Sequence, residues 1–170
     1  MQVNVSQLLQ EPIGATRAHS VDGKIDVFGD GKFHAVRGDI KLLRTNRSIL
    51  VEGMLTTEVE LVCSRCLSDF QRKLTLNIEE EFVPTIDVHT GAPLLPPEDP
   101  VFFTIDERHV IDFTEAIRQY ALLAVPMKPL CRENCPGLCP SCGSNLNQGK
   151  CNCAEQKIDP RWAELAKLLK

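Results

Sequence analysis

An α+β fold is what the 170 residues predict: an antiparallel β meander, partly closed or barrel-like, covered by a helix and followed by a cysteine-rich metal-binding segment with a terminal helix. Three observations carry this expectation. Apolar and polar residues alternate with period two through much of residues 15 to 83, as half-buried strands require. One stretch, from Asp112 towards Pro126, repeats its apolar residues at helical spacing. Eight cysteines fall in four short-spaced pairs, six of them in the last 40 residues. The organisation expected is a domain over 1–127 and a cysteine-rich segment with a C-terminal helix over 128–170.

The elements follow in order. Residues 3 to 14 read as an extended start and a brief helix that Ser6 opens and Pro12 stops. Small or apolar residues alternate with charged ones from Val36 to Leu42, and Thr45-Asn46-Arg47 forms the turn into a strand beginning at Ile49. Alternation resumes at Glu58-Val59-Glu60-Leu61. After Cys63-Ser64-Arg65-Cys66 it returns with Leu74, Leu76 and Ile78, so this cysteine pair belongs at a hairpin tip. Residues 84–100 hold five of the eleven prolines and read as a loop, since proline donates nothing to a ladder. A short strand, Val101 to Ile105, brings the chain back to the sheet.

Asp112 is placed to accept from first-turn amides of the helix, with Glu115 three residues on in a capping-box arrangement. Phe113, Ile117, Tyr120 and Ala124 form its apolar stripe. Asp159 and Pro160 open a last helix, with Trp162, Leu165, Ala166 and Leu169 on one face.

A chain of this length with 43% apolar residues buries an ordinary core and needs no cysteines to replace one. No segment approaches the ~18 apolar residues of a membrane helix. Residues 1–12 carry no positive n-region and no apolar h-region. A cytoplasmic, reducing location is expected, where lasting disulfides are rare and clustered cysteines read as metal ligands.

Zinc takes four thiolates at tetrahedral corners, and two cysteines on one tight turn supply two corners together. Cys139-Pro140-Ser141-Cys142-Gly143 suits such a turn: proline stiffens it and glycine accepts a positive φ. The preferred grouping is Cys139, Cys142, Cys151 and Cys153 around one ion, and Cys63, Cys66, Cys131 and Cys135 around a second. One ion held by a subset, with Cys63 and Cys66 left as thiols, stays open. So does an iron–sulfur cluster, which also uses four thiolates. The spacing of Cys135, Cys139 and Cys142 matches radical iron–sulfur enzymes, but too few residues follow it for their barrel. A thiol-redox role for Cys63 and Cys66 lacks the βαβ context such sites use.

Nothing in the sequence supports catalysis. His19, His34, His89 and His109 are scattered, and no phosphate loop, serine elbow or HExxH motif occurs. The net charge of −4 offers no bulk attraction to nucleic acid, but it is unevenly spread. Glu79 to Glu115 holds ten acidic residues and one basic one, while Lys128 to Lys170 carries seven basic and four acidic. A phosphate-facing surface is open to Arg37, Lys41, Arg44, Arg47 and Arg65, the other reading being an ordinary solvated face.

Taken together, several blocks resemble one family. They are Cys63-Ser64-Arg65-Cys66-Leu67, Glu81-Phe82-Val83-Pro84, Ile111-Asp112-Phe113 and Ala124-Val125-Pro126. They continue through Gly137-Leu138-Cys139-Pro140-Ser141-Cys142-Gly143, Asn145-Leu146-Asn147 and Asp159-Pro160-Arg161. Their order is similar to the YceD family, linked to accumulation of large-subunit ribosomal RNA in bacteria and plastids. The resemblance implies a non-enzymatic role in accumulation or processing of 23S ribosomal RNA, with that RNA or a ribosome-assembly protein as partner. Neither a membrane nor a small-molecule substrate is expected. The alternative is a zinc-stabilised protein–protein adaptor in which Trp162 or the 84–100 loop meets the partner.

Overall fold

The computed structural model describes residues 1–94 and 102–153. The chain divides into two compact units, Met1–Leu61 with Gln71–Met127, and Val62–Phe70 with the chain from Lys128. The expected C-terminal helix and Trp162 lie outside the described residues.

The first unit is the expected meander. Strand β1 (Gln2–Asn4) and helix α1 (Ser6–Gln10) are followed by β2 (Thr16–Asp26), β3 (Phe33–Arg44), β4 (Ile49–Val62) and β5 (Asp69–Pro84). Strands β6 (Phe103–Ile105) and β7 (Val110–Asp112) and helix α2 (Thr114–Ala124) complete it. The main sheet runs β2-β3-β4-β5-β6. Strand β2 pairs antiparallel with β3 from Thr16 opposite Leu43 to Asp26 opposite Phe33, and β3 pairs antiparallel with β4. Period-two alternation places Val36, Ile40 and Leu42 of β3 in the core beside Val51, Leu55 and Val59 of β4. Arg37, Asp39 and Lys41 share the exposed face of β3.

Two glycines let β3 and β4 approach and coil. A Cβ on Gly38 would lie 2.2 Å from the Met54 carbonyl oxygen, and one on Gly53 would lie 2.4 Å from that of Asp39.

Strand β6 joins the sheet beside β5 in parallel, with Phe82 opposite Phe103. A parallel neighbour needs a long connection, and the proline-rich stretch provides it. Its first part is structured, because Ile86 bridges Pro93 and the Leu94 amide donates to the Thr85 carbonyl at 2.9 Å. Phe82 is fully buried, stacked on Phe103 at 5.5 Å and edge-on to Phe113 at 5.6 Å.

Helix α2 buries Ala116, Ile117 and Ala121, and the Tyr120 hydroxyl donates to the Glu79 carbonyl at 2.6 Å. Asp112 accepts from the Thr114 amide at 2.9 Å, as its position suggested. Glu115 does not close a capping box. Helix α2 begins at Thr114, too late for Glu115 to reach back, and its carboxylate takes Arg118 and Gln119 instead. The small sheet of β1 with β7, Gln2 opposite Asp112, has strands too short to show a period in sequence.

Candidate metal centre

The second unit is built on two similar turns. In the first, residues 63–68 connect β4 to β5; the Cys63 amide donates to the Ser68 carbonyl at 2.9 Å and the Leu67 amide to the Cys63 carbonyl at 2.9 Å. In the second, the Cys139 amide donates to the Ser144 carbonyl at 2.8 Å and the Gly143 amide to the Cys139 carbonyl at 2.8 Å. Both turns put the residue after the second cysteine in the left-handed region, Leu67 at φ 57° and Gly143 at φ 73°. That conformation turns successive amides inwards, so each turn offers two sulfurs together with N–H groups that favour their ionised form.

The eight sulfurs gather in two fours. Cys63, Cys66, Cys131 and Cys135 lie within 4.8 Å of one another, and so do Cys139, Cys142, Cys151 and Cys153. In the first set Cys63 and Cys135 are 3.8 Å apart and Cys66 and Cys131 are 3.7 Å apart. Four sulfurs about 2.3 Å from a central ion stand about 3.8 Å from one another along each tetrahedral edge. A disulfide would need about 2.05 Å, and all eight cysteines are free. A multi-iron cluster must fit its sulfide-bridged body between its thiolates, which a spread of 4.8 Å does not allow. The geometry suits one ion per tetrad.

The thiols within each tetrad differ in acidity. Burial pushes Cys63 up, but the amides of Cys131, Cys66 and Arg65 outweigh it and bring the thiol down to about 6. Burial and the neighbouring sulfurs of Cys135, Cys66 and Cys63 push Cys131 up to about 12. In the second tetrad the Ser144 hydroxyl, then its amide, bring Cys142 down to about 6. The Cys142 sulfur and burial push Cys153 up to about 12. Adjacent negative sulfurs oppose each other's ionisation, and a divalent cation removes that opposition.

A ring of polar groups braces the first tetrad. The Asn147 side-chain amide donates to the Cys135 sulfur at 3.3 Å and is the main cause holding that thiol below its ordinary value. Asn145 donates to the Ser68 hydroxyl at 2.9 Å, linking the two turns. The Leu146 amide donates to the Gly137 carbonyl at 2.9 Å. Cys63, Cys66 and Cys135 also form a small buried cluster against which Phe70, Leu130 and Leu138 pack.

The basic residues singled out from sequence separate. Arg65 turns back on its own unit and donates to the Cys135 carbonyl at 3.0 Å, which makes it a brace of the tetrad. Arg37 is exposed and ion-paired with Asp22 at 3.4 Å, and Lys41 stands opposite Glu52 across the ladder, so the exposed face of β3 carries mixed charge. Arg44 and Arg47 flank the β3–β4 turn, and Arg47 has no ion pair among the described residues. Sequence reasoning passed over Asn145, Asn147 and Ser68 as supports. Their signals were the dense Ser and Asn content around the cysteines, which also fits any loop, and the Asn145-Leu146-Asn147 block, which carries the resemblance but does not itself point to a supporting role.

Comparison with known proteins follows the same residues. The family model described as "Large ribosomal RNA subunit accumulation protein YceD" matches residues 51–169, a span holding all eight cysteines. An uncharacterized protein of Mycobacterium tuberculosis is 33% identical over 131 residues, covering 77% of this chain and 60% of its own length. A chloroplastic protein of Arabidopsis thaliana, named "Large ribosomal RNA subunit accumulation protein YCED homolog 1", is 26% identical over 154 residues, covering 78% of this chain and 48% of its own. The uncharacterized protein YlbN of Bacillus subtilis is 29% identical over 137 residues, covering 79% and 72%. The chain thus spans 60% of the length of the mycobacterial relative. No solved structure matches.

Proposed function

The chain belongs to the YceD family, and from that premise we propose that it is a non-enzymatic factor supporting the accumulation or processing of large-subunit (23S) ribosomal RNA. The observation carrying this reading is the family match itself, which spans both cysteine tetrads. Each tetrad holds one zinc ion, ligated by Cys63, Cys66, Cys131 and Cys135 in the first and by Cys139, Cys142, Cys151 and Cys153 in the second. Zinc is supported by donors that are all thiolate, by ligand pairs on rigid turns and by sulfur spacings of a tetrahedral edge. The ions are structural, since four protein sulfurs leave no open coordination position for a substrate. The partner is ribosomal RNA or a ribosome-assembly protein, met in the cytoplasm. Among the described residues no helix is long and apolar enough to cross a membrane.

The ratio of large- to small-subunit ribosomal RNA in depleted cells tests this function. A selective fall in the large-subunit species is expected, and an unchanged ratio with depletion confirmed sinks the proposal. Metal analysis of the purified protein tests the cofactor: two zinc ions per chain are expected, and stoichiometric iron overturns that assignment. A second reading, a zinc-stabilised protein–protein adaptor, draws on Leu123 and Met127, both almost wholly exposed at and beyond the end of α2. Partner recovery that survives ribonuclease favours it.

A further inference from the structure

The first unit contains a cavity of about 360 Å³ between the β3–β4 turn, the end of β5 and the loop that follows. Its polar side carries Arg44, Asn46 and Arg47, and its apolar side includes Val83, Pro84 and Leu94. Both arginines had been singled out from sequence as phosphate contacts, and the fold brings them to one recess. We infer that this cavity seats one unpaired nucleotide, its phosphate on the arginines and its base against the apolar wall. This rests on the ribosomal RNA reading above and supplies the contact that reading lacks.

The walls are preorganised. In the turn, the Thr45 amide donates to the Ser48 carbonyl at 3.0 Å and the Ser48 amide to the Thr45 hydroxyl at 3.1 Å. Ser48 is buried and its hydroxyl donates to the Glu81 carboxylate, anchoring the turn to β5. Across the cavity, Asp87 and Leu94 donate through their amides to the carbonyls of Ala92 and Thr85, each at 2.9 Å. A ligand therefore meets a formed site and orders little on binding.

The chemistry selects the ligand. The Arg44 guanidinium donates through Nη1 to the Ser48 carbonyl at 3.3 Å, yet its Nε is buried with no partner. That Nε is closed to solvent, so a ligand in the cavity meets Arg44 through the rest of its side chain. Arg47 is exposed and carries no ion pair among the described residues. The one acid in the lining, Asp87, is already engaged by the amides of His89 and Thr90 and by the Thr90 hydroxyl. Asn46 adds the donor–acceptor pair that reads a base edge, and Pro84 with its aliphatic neighbours offers an apolar wall to a base face. The volume is near the lower end of small-ligand sites, about 300–1,000 Å³. It admits one nucleotide and no duplex.

The nucleotide comes from an RNA strand or is free in solution, and the test separates the two. Amide shifts of the full chain are followed by NMR on adding uridine monophosphate, or a short oligouridine, to wild type, Arg47→Glu and Lys24→Glu. Lys24 is exposed on β2 outside the cavity, so its variant carries the same charge change elsewhere. Both ligands are expected to shift Asn46 and Arg47, the strand binding about tenfold more tightly, because phosphates beyond the cavity add contacts. Arg47→Glu weakens both about tenfold; Lys24→Glu leaves the mononucleotide unchanged. Equal affinity for strand and mononucleotide overturns the RNA source. Equal loss in both variants, or binding that ignores Arg47→Glu, overturns the cavity. Complementing depleted cells keeps the two levels apart. If wild type restores large-subunit ribosomal RNA and Arg47→Glu restores it equally well, the cavity is overturned while the ribosomal function stands. If depletion never changes that RNA, the ribosomal function fails, and the binding data alone decide whether the cavity takes a nucleotide.

Discussion

The two cysteine tetrads share one kind of turn and differ in how it is completed. Cys63 and Cys66 are joined by cysteines some seventy residues away, Cys63 meeting Cys135 across a separation of 72, and three of the four sulfurs are buried. Cys139 and Cys142 are joined by their near neighbours Cys151 and Cys153, and both Cys142 and Cys153 are exposed. Chain entropy is a small part of this difference, since a loop roughly five times longer adds only about 1.4 kcal/mol to closure. Burial matters more: the first tetrad stands in an apolar cluster with braces from Asn147 and Arg65, so without a cation its crowded sulfurs cannot all stay ionised. The same turn thus serves as a long-range staple in one place and a local clip in the other.

The largest expected effect comes from breaking each in turn. Structural zinc contributes about 10–16 kcal/mol of apparent binding energy, comparable with a whole domain's net stability of about 5–15 kcal/mol. Cys66→Ser removes the first ion, and hydrogen exchange is expected to accelerate throughout residues 62–70 and 128–148. Cys142→Ser removes only the second, with faster exchange confined to 139–153 and one zinc retained. Equal spread in the two variants sinks the staple-and-clip distinction. Chelation orders the sites without mutation: under a limiting chelator with a thiol alkylator, Cys142 and Cys153 are modified first and Cys63 last, as peptide mass spectrometry reads directly.

A smaller effect tests the brace. Asn147→Ala removes the donor to the Cys135 sulfur, and loss of such an outer partner typically costs about 10–100-fold in metal affinity. Only the first ion is expected to weaken, so competition with a chromogenic chelator should show one of two release steps shifted. Two shifted steps break the independence of the tetrads.

Smaller still is a paired substitution at two positive-φ glycines. A Cβ on Gly143 meets nothing within 4 Å, so Gly143→Ala carries only left-handed strain, about 1–2 kcal/mol. A Cβ on Gly137 stands 3.1 Å from the Arg65 carbonyl oxygen, so Gly137→Ala adds crowding against the first turn. Thermal denaturation of the zinc-loaded protein is expected to rank Gly137→Ala below Gly143→Ala, and the reverse order contradicts the tighter build of the first tetrad.

What the sequence displayed was periodic or paired. The alternation of Val36, Ile40 and Leu42 exposed β3, and the helical spacing of Phe113 and Ile117 exposed α2. The even count and the turns that each supply two ligands suggested two tetrads, while which pairs share a tetrad is set by the fold. What stayed hidden depends on contacts between distant residues. The role of Arg65 as a brace requires knowing that Cys135 lies beside it, and the cavity of Arg44 and Arg47 requires the loop after β5 to fold back. Strands β1 and β7 hide for another reason: three residues carry no period.

The last prediction concerns Leu67, at the left-handed position that the two turns fill with different residues. The second turn has Gly143 in the left-handed position, and the first has Leu67 at φ 57°, which costs a residue with a Cβ about 1–2 kcal/mol. Leu67 is 65% exposed, so its side chain returns little of that cost by burial. Leu67→Gly relieves the strain but gives the unfolded chain more freedom, worth about 0.4–1 kcal/mol in the other direction. The net expectation is a gain of up to about 1.6 kcal/mol, read as a small rise in Tm of the zinc-loaded protein. A loss instead assigns the Leu67 side chain an anchoring role, and the first turn then rests on packing that the second never had.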